Sequence, residues 1–382
     1  MNAINFLREK LAFPVTMEEY MRVSLYDEEI GYYMKDRVKL GKEGDFYTSN
    51  HVHPVFQKTF ARFFLDVIKK EKISPYICEF GAGEGMFAKN VLDYFLHTDE
   101  KVYEKMQYII IESSQYHRAM LLNILDMHKE RVRIFSSMIE AKHCYPHLEG
   151  IIFSNELIDA FPVRVVEKHS NQLYEVLVDV NKTEVKEVIV PCKDNKLTSW
   201  LNVYGPDLAD GYRFEINLAM REWLIHVNEW LRKGLVVTVD YGYTNEELNR
   251  EERRLGSLRG YYKHQLIDDP LKYPSEMDMT SHIQWDAFQQ ISRELNLEEI
   301  THEKQDRFLL KAGLFTFLEK ANHLDPFSES FKQNRAIQSL VYPGGISSSF
   351  QVNVQGKVVN EVKNYTIFTE DPYHLDSKLD YK

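Results

Sequence analysis

The segment Glu79-Phe80-Gly81-Ala82-Gly83-Glu84-Gly85-Met86 joins a short apolar run, 76–80, to a stretch of helical periodicity, 87–96. Three glycines between a strand and a helix allow a tight turn and let a ligand approach bare main chain, with Gly81, Ala82, Gly83 and Gly85 as the cradle. A dinucleotide fingerprint would carry a further glycine where Met86 stands. Glu79 would repel a pyrophosphate and suits the cationic methionine moiety of S-adenosylmethionine. Glu112 closes the next apolar run, 108–111, with Ser113 beside it. Its two oxygens can bind both hydroxyls of a ribose. Nicotinamide enzymes share that feature, so Glu112 does not discriminate; Glu79 and Met86 do, and they favour a methyl donor. The plain alternatives are a glycine turn with no ligand, and strand-end acids that pair with a lysine or cap the next helix.

A second acidic group follows the run at 150–154, in Asn155-Glu156-Leu157-Ile158-Asp159-Ala160-Phe161-Pro162. If these residues form a helical turn, Glu156 and Asp159 share a face. Two carboxylates can hold a planar guanidinium by charge-assisted hydrogen bonds, and Asn155 can donate or accept beside them. The bland alternative is an N-cap by Asn155 with Glu156 near the helix dipole. Asp240, Tyr241 and Tyr243 end the run at 235–240 and could wall a cation through the aromatic faces, or serve as buried structural tyrosines. His264 and His282 read as substrate-side contacts or as satisfied structural histidines. His51 and His53 stand two apart, and no His/Asp/Glu set has metal-ligand spacing, so no metal is expected.

The elements that must carry these groups alternate. Apolar runs at 76–80, 108–111, 132–135, 150–154 and 235–240 are separated by helical stretches, the pattern of a parallel sheet covered on both faces. Stretches 163–167, 173–179 and 184–190 break the rhythm as antiparallel hairpins. Apolar residues over 55–68 recur at helical spacing and predict a core helix. A helix over 218–232 is expected to stop at Lys233-Gly234, and 349–354 to form a final edge strand. The chain divides into a lid segment 1–70, a core 71–162 and 215–355, a β-rich insertion 163–214, a second insertion 244–282 and a tail 356–382.

The chain has 382 residues, with 47 Lys+Arg against 58 Asp+Glu for a net charge of −11. That balance disfavours nucleic acid or an anionic membrane as the main partner. Cys78, Cys144 and Cys192 lie far apart without a CxxC pair, which suggests a reducing compartment. No apolar run approaches the roughly 18 residues a membrane span needs, and the first residues show no secretory or mitochondrial leader pattern. A cytoplasmic protein is expected.

Several motifs in order resemble one family: GDFYTSNHVHPVFQ (44–57), EFGAGEG (79–85), FSNELIDAFPV (153–163), DYGY (240–243), GSLRGYYKH (256–264), DMTSHIQW (278–285) and QDRFLLKAGL (305–314). It is the MidA-like S-adenosylmethionine-dependent methyltransferases, whose mitochondrial branch assists assembly of respiratory complex I. The resemblance spans about 16–314. It implies an α/β class I methyltransferase (Rossmann-like) fold with a mostly parallel seven-stranded sheet, a β-rich insertion and a helical or loop segment capping the substrate. It also implies S-adenosylmethionine as cofactor, a cover over it from Asp45, Phe46 and Thr48, and arginine methylation of a protein substrate, with Glu156, Asp159 and Asn155 at the acceptor. The third run ends in Phe135-Ser136-Ser137-Met138, without the acid that many methyltransferases place near the adenine amine. A homodimer is among the assemblies open to such a chain. The competing expectation is an assembly factor that binds cofactor and a client protein with little or no catalysis.

Overall fold

Short β-branched and aromatic runs become the strands of one central sheet in the computed structural model, which describes residues 3–36, 53–181, 184–320, 325, 327–344 and 348–373. These strands are β1 (Tyr76–Phe80), β2 (Gln107–Ile111), β3 (Val132–Phe135), β4 (Leu148–Asn155), β5 (Leu231–Tyr243), β6 (Glu298–Lys304) and β7 (Phe350–Lys357). Their spatial order is β6-β7-β5-β4-β1-β2-β3. β1 runs parallel to β2 and to β4, β2 to β3, and β4 to β5. β6 and β7 are antiparallel to each other. A two-residue strand, Ile283–Gln284, adds to the end of β5 at Gly242 and Tyr243. The strand order reverses direction between β1 and β4, which is where open α/β sheets form a ligand crevice at their C-terminal edge.

Two expectations are corrected. β7 is interior, between β5 and β6, and the edge strand is β6. The long connection between β6 and β7, carrying helices Gln305–Lys311 and Glu329–Val341, lets the last strand return inside its predecessor, so edge position is a matter of crossover and not of the strand's own residues. Lys233-Gly234 is no helix stop: the helix Leu218–Trp230 ends earlier and β5 begins at Leu231. Gly234, at φ +133°, pairs with Gly150 just after a register shift between Leu231 and Lys233, and a Cβ there would stand 1.8 Å from the Gly150 carbonyl oxygen. The glycine answers to strand contact.

The described residues fall into two compact units, one within 48–155, 227–240 and 296–382, the other within 1–47, 156–226 and 241–295. In the first, the helix Val55–Glu71 buries Phe56, Phe60, Phe63 and Phe64 at the spacing that its sequence shows. Phe60 and Phe87 pack on Phe153 of β4, with ring centroids 5.4 and 4.1 Å away. Each fully buried phenylalanine stabilises by about 1.5–3 kcal/mol, enough to fix the strands around the glycine turn. In the second unit the expected hairpins form an antiparallel sheet from Arg164–His169, Gln172–Val180, Val185–Pro191, Arg213–Ile216 and Val15–Thr16. A smaller sheet joins Gln265–Ile267, Arg259–Tyr262 and Asp278–Thr280. Among the described residues no helix is long and apolar enough to cross a membrane.

Candidate active site

In the sheet unit the chain leaves β1 through Gly81, Gly83 and Gly85 at φ +68°, +53° and +81°. All three lie in the left-handed region that L-residues other than glycine enter at a cost. A Cβ on Gly85 would lie 2.4 Å from Leu121 Cδ2. The helix Met86–Thr98 starts directly after it, so the bare turn sits at a helix N-terminus.

Glu112 is buried and clamps this turn. Its Oε2 accepts the Gly83 N–H at 3.0 Å and its Oε1 accepts the Ser114 N–H at 2.8 Å. A carboxylate offers about four lone-pair sites, so each oxygen retains capacity for a hydroxyl donor after holding the backbone. Ser114 in turn caps the helix Gln115–Ile124, while Ser113 is exposed with its carbonyl taken by Arg118. Ala82 packs against the core from a partly buried position.

Glu79 is 3% exposed and accepts the Tyr108 hydroxyl at 2.7 Å. Burial pushes its carboxyl up to about 8; the tyrosine opposes that shift and the neighbouring charge of Glu112 adds to it. Such an acid is largely protonated at neutral pH and ionises when a cation arrives. A close main-chain cradle, a pinned carboxylate with spare lone pairs and a cation-responsive acid fit S-adenosylmethionine. Among the described residues no group of three or more His, Cys, Asp or Glu side chains could hold a metal. Asp45, Phe46 and Thr48 lie outside the described residues.

In the second unit the acids after β4 are arranged otherwise than expected. Residues 156–161 form bends and a turn rather than a helix, Asn155 is the last residue of β4, and Glu156 sits at φ +50°. A left-handed residue at that point interrupts helical hydrogen bonding, so the shared helical face of Glu156 and Asp159 does not exist. A non-glycine residue held there costs about 1–3 kcal/mol and marks a turn fixed by its surroundings.

Asp159 is buried, and the Tyr241 hydroxyl donates to its Oδ2 at 2.5 Å. Burial pushes its carboxyl up to about 6, against the pull of Tyr241 and of backbone N–H groups. Its carbonyl accepts the Ser281 N–H at 2.8 Å. His282 stands edge-on to Tyr241 and Tyr243, at 5.2 and 4.7 Å between ring centroids, and its Nε2 is 2.9 Å from Arg259 Nη2. Burial together with the charges of Arg259 and Arg253 drives the imidazole down to about 3. It is therefore neutral, and its Nε2 is the acceptor of the arginine.

Arg253 lies over the Tyr243 ring at 3.8 Å, so one face of this tyrosine already carries a cation. His264 is exposed in the Lys263-His264 turn, both residues at positive φ as a two-residue hairpin turn demands. Asp240 is fully buried toward the C-terminal end of β5. Tyr241, Asp159 and His282 thus come together, and His264 belongs to the hairpin turn.

Residue reading alone passed over Asp278, Tyr33 and Tyr261. The Tyr33 hydroxyl donates to Asp278 Oδ1, and Tyr261 stands opposite Asp278 in the ladder. Asp278 opens DMTSHIQW and Tyr261 lies within GSLRGYYKH. For Asp278 and Tyr261 the signal was their presence in two motifs whose pairing no spacing rule declares; Tyr33 lies in neither motif.

A family model described as "Putative S-adenosyl-L-methionine-dependent methyltransferase" matches residues 59–301. The chain is 22% identical over 321 residues to the Drosophila melanogaster protein named protein arginine methyltransferase NDUFAF7 homolog, mitochondrial, covering 73% of this chain and 67% of that one. It is also 22% identical to the Bos taurus protein arginine methyltransferase NDUFAF7, mitochondrial, over 79% of this chain and 70% of the relative. A crystal structure of a Burkholderia thailandensis protein bound to S-adenosyl-homocysteine superposes with a TM-score of 0.85 at 25% identity, covering 96% of this chain and 94% of that one.

Proposed function

The chain belongs to the family of S-adenosyl-L-methionine-dependent methyltransferases, and we propose that its acceptor is an arginine side chain of a protein. S-adenosylmethionine supplies an electrophilic methyl group when bound. Everything else is the work of the chain's own residues. In this reading Gly81, Ala82, Gly83 and Gly85 bring main chain to the cofactor, Glu112 takes the ribose hydroxyls, and Glu79 balances the cationic end.

The observation that carries the arginine assignment is the Asp159–Tyr241 pair. A guanidinium keeps its proton in water well beyond neutral pH, so a nitrogen that gains a methyl must shed a proton to a nearby base. Asp159, buried and pushed up to about 6, ionises at neutral pH yet holds a proton more readily than a solvated carboxylate. The Tyr241 hydroxyl fixes its Oδ2, so the acid meets the nitrogen in one orientation and takes its proton without side-chain rearrangement. Glu156 precedes this group in a left-handed turn. The names of the two relatives above, at 22% identity, support the same acceptor. Three unbonded cysteines suit a reducing compartment, the cytoplasm in this reading.

Methyl-labelled S-adenosylmethionine, incubated with the chain and proteins of cells that lack it, tests this directly. Acid hydrolysis should yield methylarginine, and Asp159→Asn should lower it at least about a hundredfold, the lower range for losing a general base. Label on lysine or on no residue would sink the proposal, and equal label from both proteins would remove Asp159 from it. A client-binding factor without catalysis would give no transfer from either.

A further inference from the structure

One carboxylate satisfies only part of a guanidinium, which presents five N–H donors in a rigid fork. The unit that holds Asp159 buries a second carboxylate, Asp278, at 3% exposure. Two separate connections tie Asp278 to the Asp159 turn, and a third contact sets a phenol beside it. The strand Asp278–Thr280 runs on to Ser281, whose N–H donates to the Asp159 carbonyl at 2.8 Å. Tyr33, the donor to Asp278, stacks on Tyr26 with ring centroids 5.4 Å apart, and the Tyr26 hydroxyl reaches the Ala160 carbonyl at 2.8 Å. Tyr261 is the cross-strand partner of Asp278. Cross-strand partners project from the same face of a sheet, so phenol and carboxylate stand side by side.

The electrostatics agree with that geometry. Burial raises the Tyr261 phenol, Arg259 opposes this, and the charges of Asp159, Asp278 and Glu156 all add to the rise. One phenol therefore senses all three acids. Tyr33 is raised well above an ordinary phenol, first by burial and then by Asp278, with Tyr26 and Asp159 contributing. Both directions agree with the contacts above, in which Tyr33 donates to Asp278 and Tyr26 reaches the carbonyl next to Asp159.

We propose that Asp278, oriented by Tyr33, is the second arm of an acceptor clamp that grips a guanidinium together with Asp159. The assignment rests on the arginine reading above and specifies which residues make the clamp select a planar fork over the point charge of a lysine. Asp278 binds the acceptor as its counter-charge, Asp159 receives the proton, and Tyr33 and Tyr241 are positioning residues that each hold one carboxylate oxygen. The rings of Tyr26, Tyr33 and Tyr261 supply apolar walls with negative faces, which suit the flat of a guanidinium. Glu156, three residues before Asp159 but outside any helix, gives up the paired role that helical spacing assigned to it.

Asp278→Asn and Tyr33→Phe in the full chain test the clamp, read by methylarginine from labelled S-adenosylmethionine and by calorimetric binding of S-adenosyl-homocysteine. A second readout is competition by N-acetyl-arginine methylamide. Asp278→Asn should lose at least fiftyfold in methylarginine, and Tyr33→Phe about tenfold, with S-adenosyl-homocysteine affinity within twofold of wild type for both. The arginine amide should compete with wild-type labelling at a concentration roughly tenfold below that needed with Tyr33→Phe. A merely structural role would move cofactor binding and leave that competition unchanged. If Asp278→Asn fails to fold, Tyr33→Phe decides alone, since it removes one hydroxyl. Labelling within threefold of wild type by folded variants overturns the clamp while the arginine reading stands. A wild type that forms no methylarginine overturns the arginine reading first, and the clamp with it.

Discussion

Binding of the methyl donor should release a proton from Glu79. The carboxyl stands at about 8 in the free protein against an ordinary 4.5, chiefly because it is buried. At pH 7 it therefore carries about 0.9 proton. A ligand ammonium beside it favours the ionised form; if the carboxyl returns to its ordinary range, about 0.9 proton leaves at pH 7 and about half a proton at pH 8. Affinity should then rise nearly tenfold from pH 6 to pH 7 and level off above pH 8. The assay is calorimetric titration with S-adenosyl-homocysteine in buffers of different ionisation enthalpy. Wild type should show a buffer-dependent enthalpy, and Glu79→Gln should bind more weakly with no buffer dependence. The unliganded protein carries the opposite signature. An acid raised on folding contributes stability below its unfolded pKa of about 4.5 and loses it as pH climbs through about 8, with a ceiling of about 5 kcal/mol and a few kcal/mol after relaxation. Glu79→Gln should therefore be the more stable protein at pH 8. Tight binding with a buffer-independent enthalpy at pH 7 would refute the placement of Glu79 beside the ligand's cation.

Three other outcomes are expected. Glu112→Gln leaves one oxygen to serve the Gly83 and Ser114 N–H groups, so S-adenosyl-homocysteine affinity should fall by about 2–3 kcal/mol, measured by calorimetry. Gly85→Ala must hold φ +81° and displace Leu121, which should cost about 1–3 kcal/mol in denaturant unfolding. Tyr241→Phe removes the hydrogen bond that pulls the Asp159 carboxyl down; the acid limb of the pH–rate profile should move up from near 6 by about one unit, while cofactor affinity stays unchanged.

The sheet and the bare glycine turn after its first strand were legible because their determinants are local. Hydrophobic runs at 76–80, 108–111 and 132–135 need only a period to announce buried strands, and Gly81, Gly83 and Gly85 declare a turn through backbone freedom that only glycine has. Glu112 was visible at a strand end for the same reason. The Lys233-Gly234 pair misled because a glycine that stops a helix and a glycine that lets two strands touch look alike until Gly150 is found opposite.

By itself, then, the chain's sequence determined the alternation that builds the parallel sheet, the bare turn after its first strand, and the pool of acids and tyrosines from which a site could be made. Tertiary structure alone decided that β7 slots inside β6, that Glu156 turns left-handed instead of starting a helix, that Tyr33 donates to Asp278 and that Tyr241 donates to Asp159. These four are scattered along the chain, and their contacts come from strand pairing and ring stacking between distant segments. Local spacing carries no record of which segment will pair with which, because that choice is made by burial and hydrogen-bond satisfaction over the whole fold.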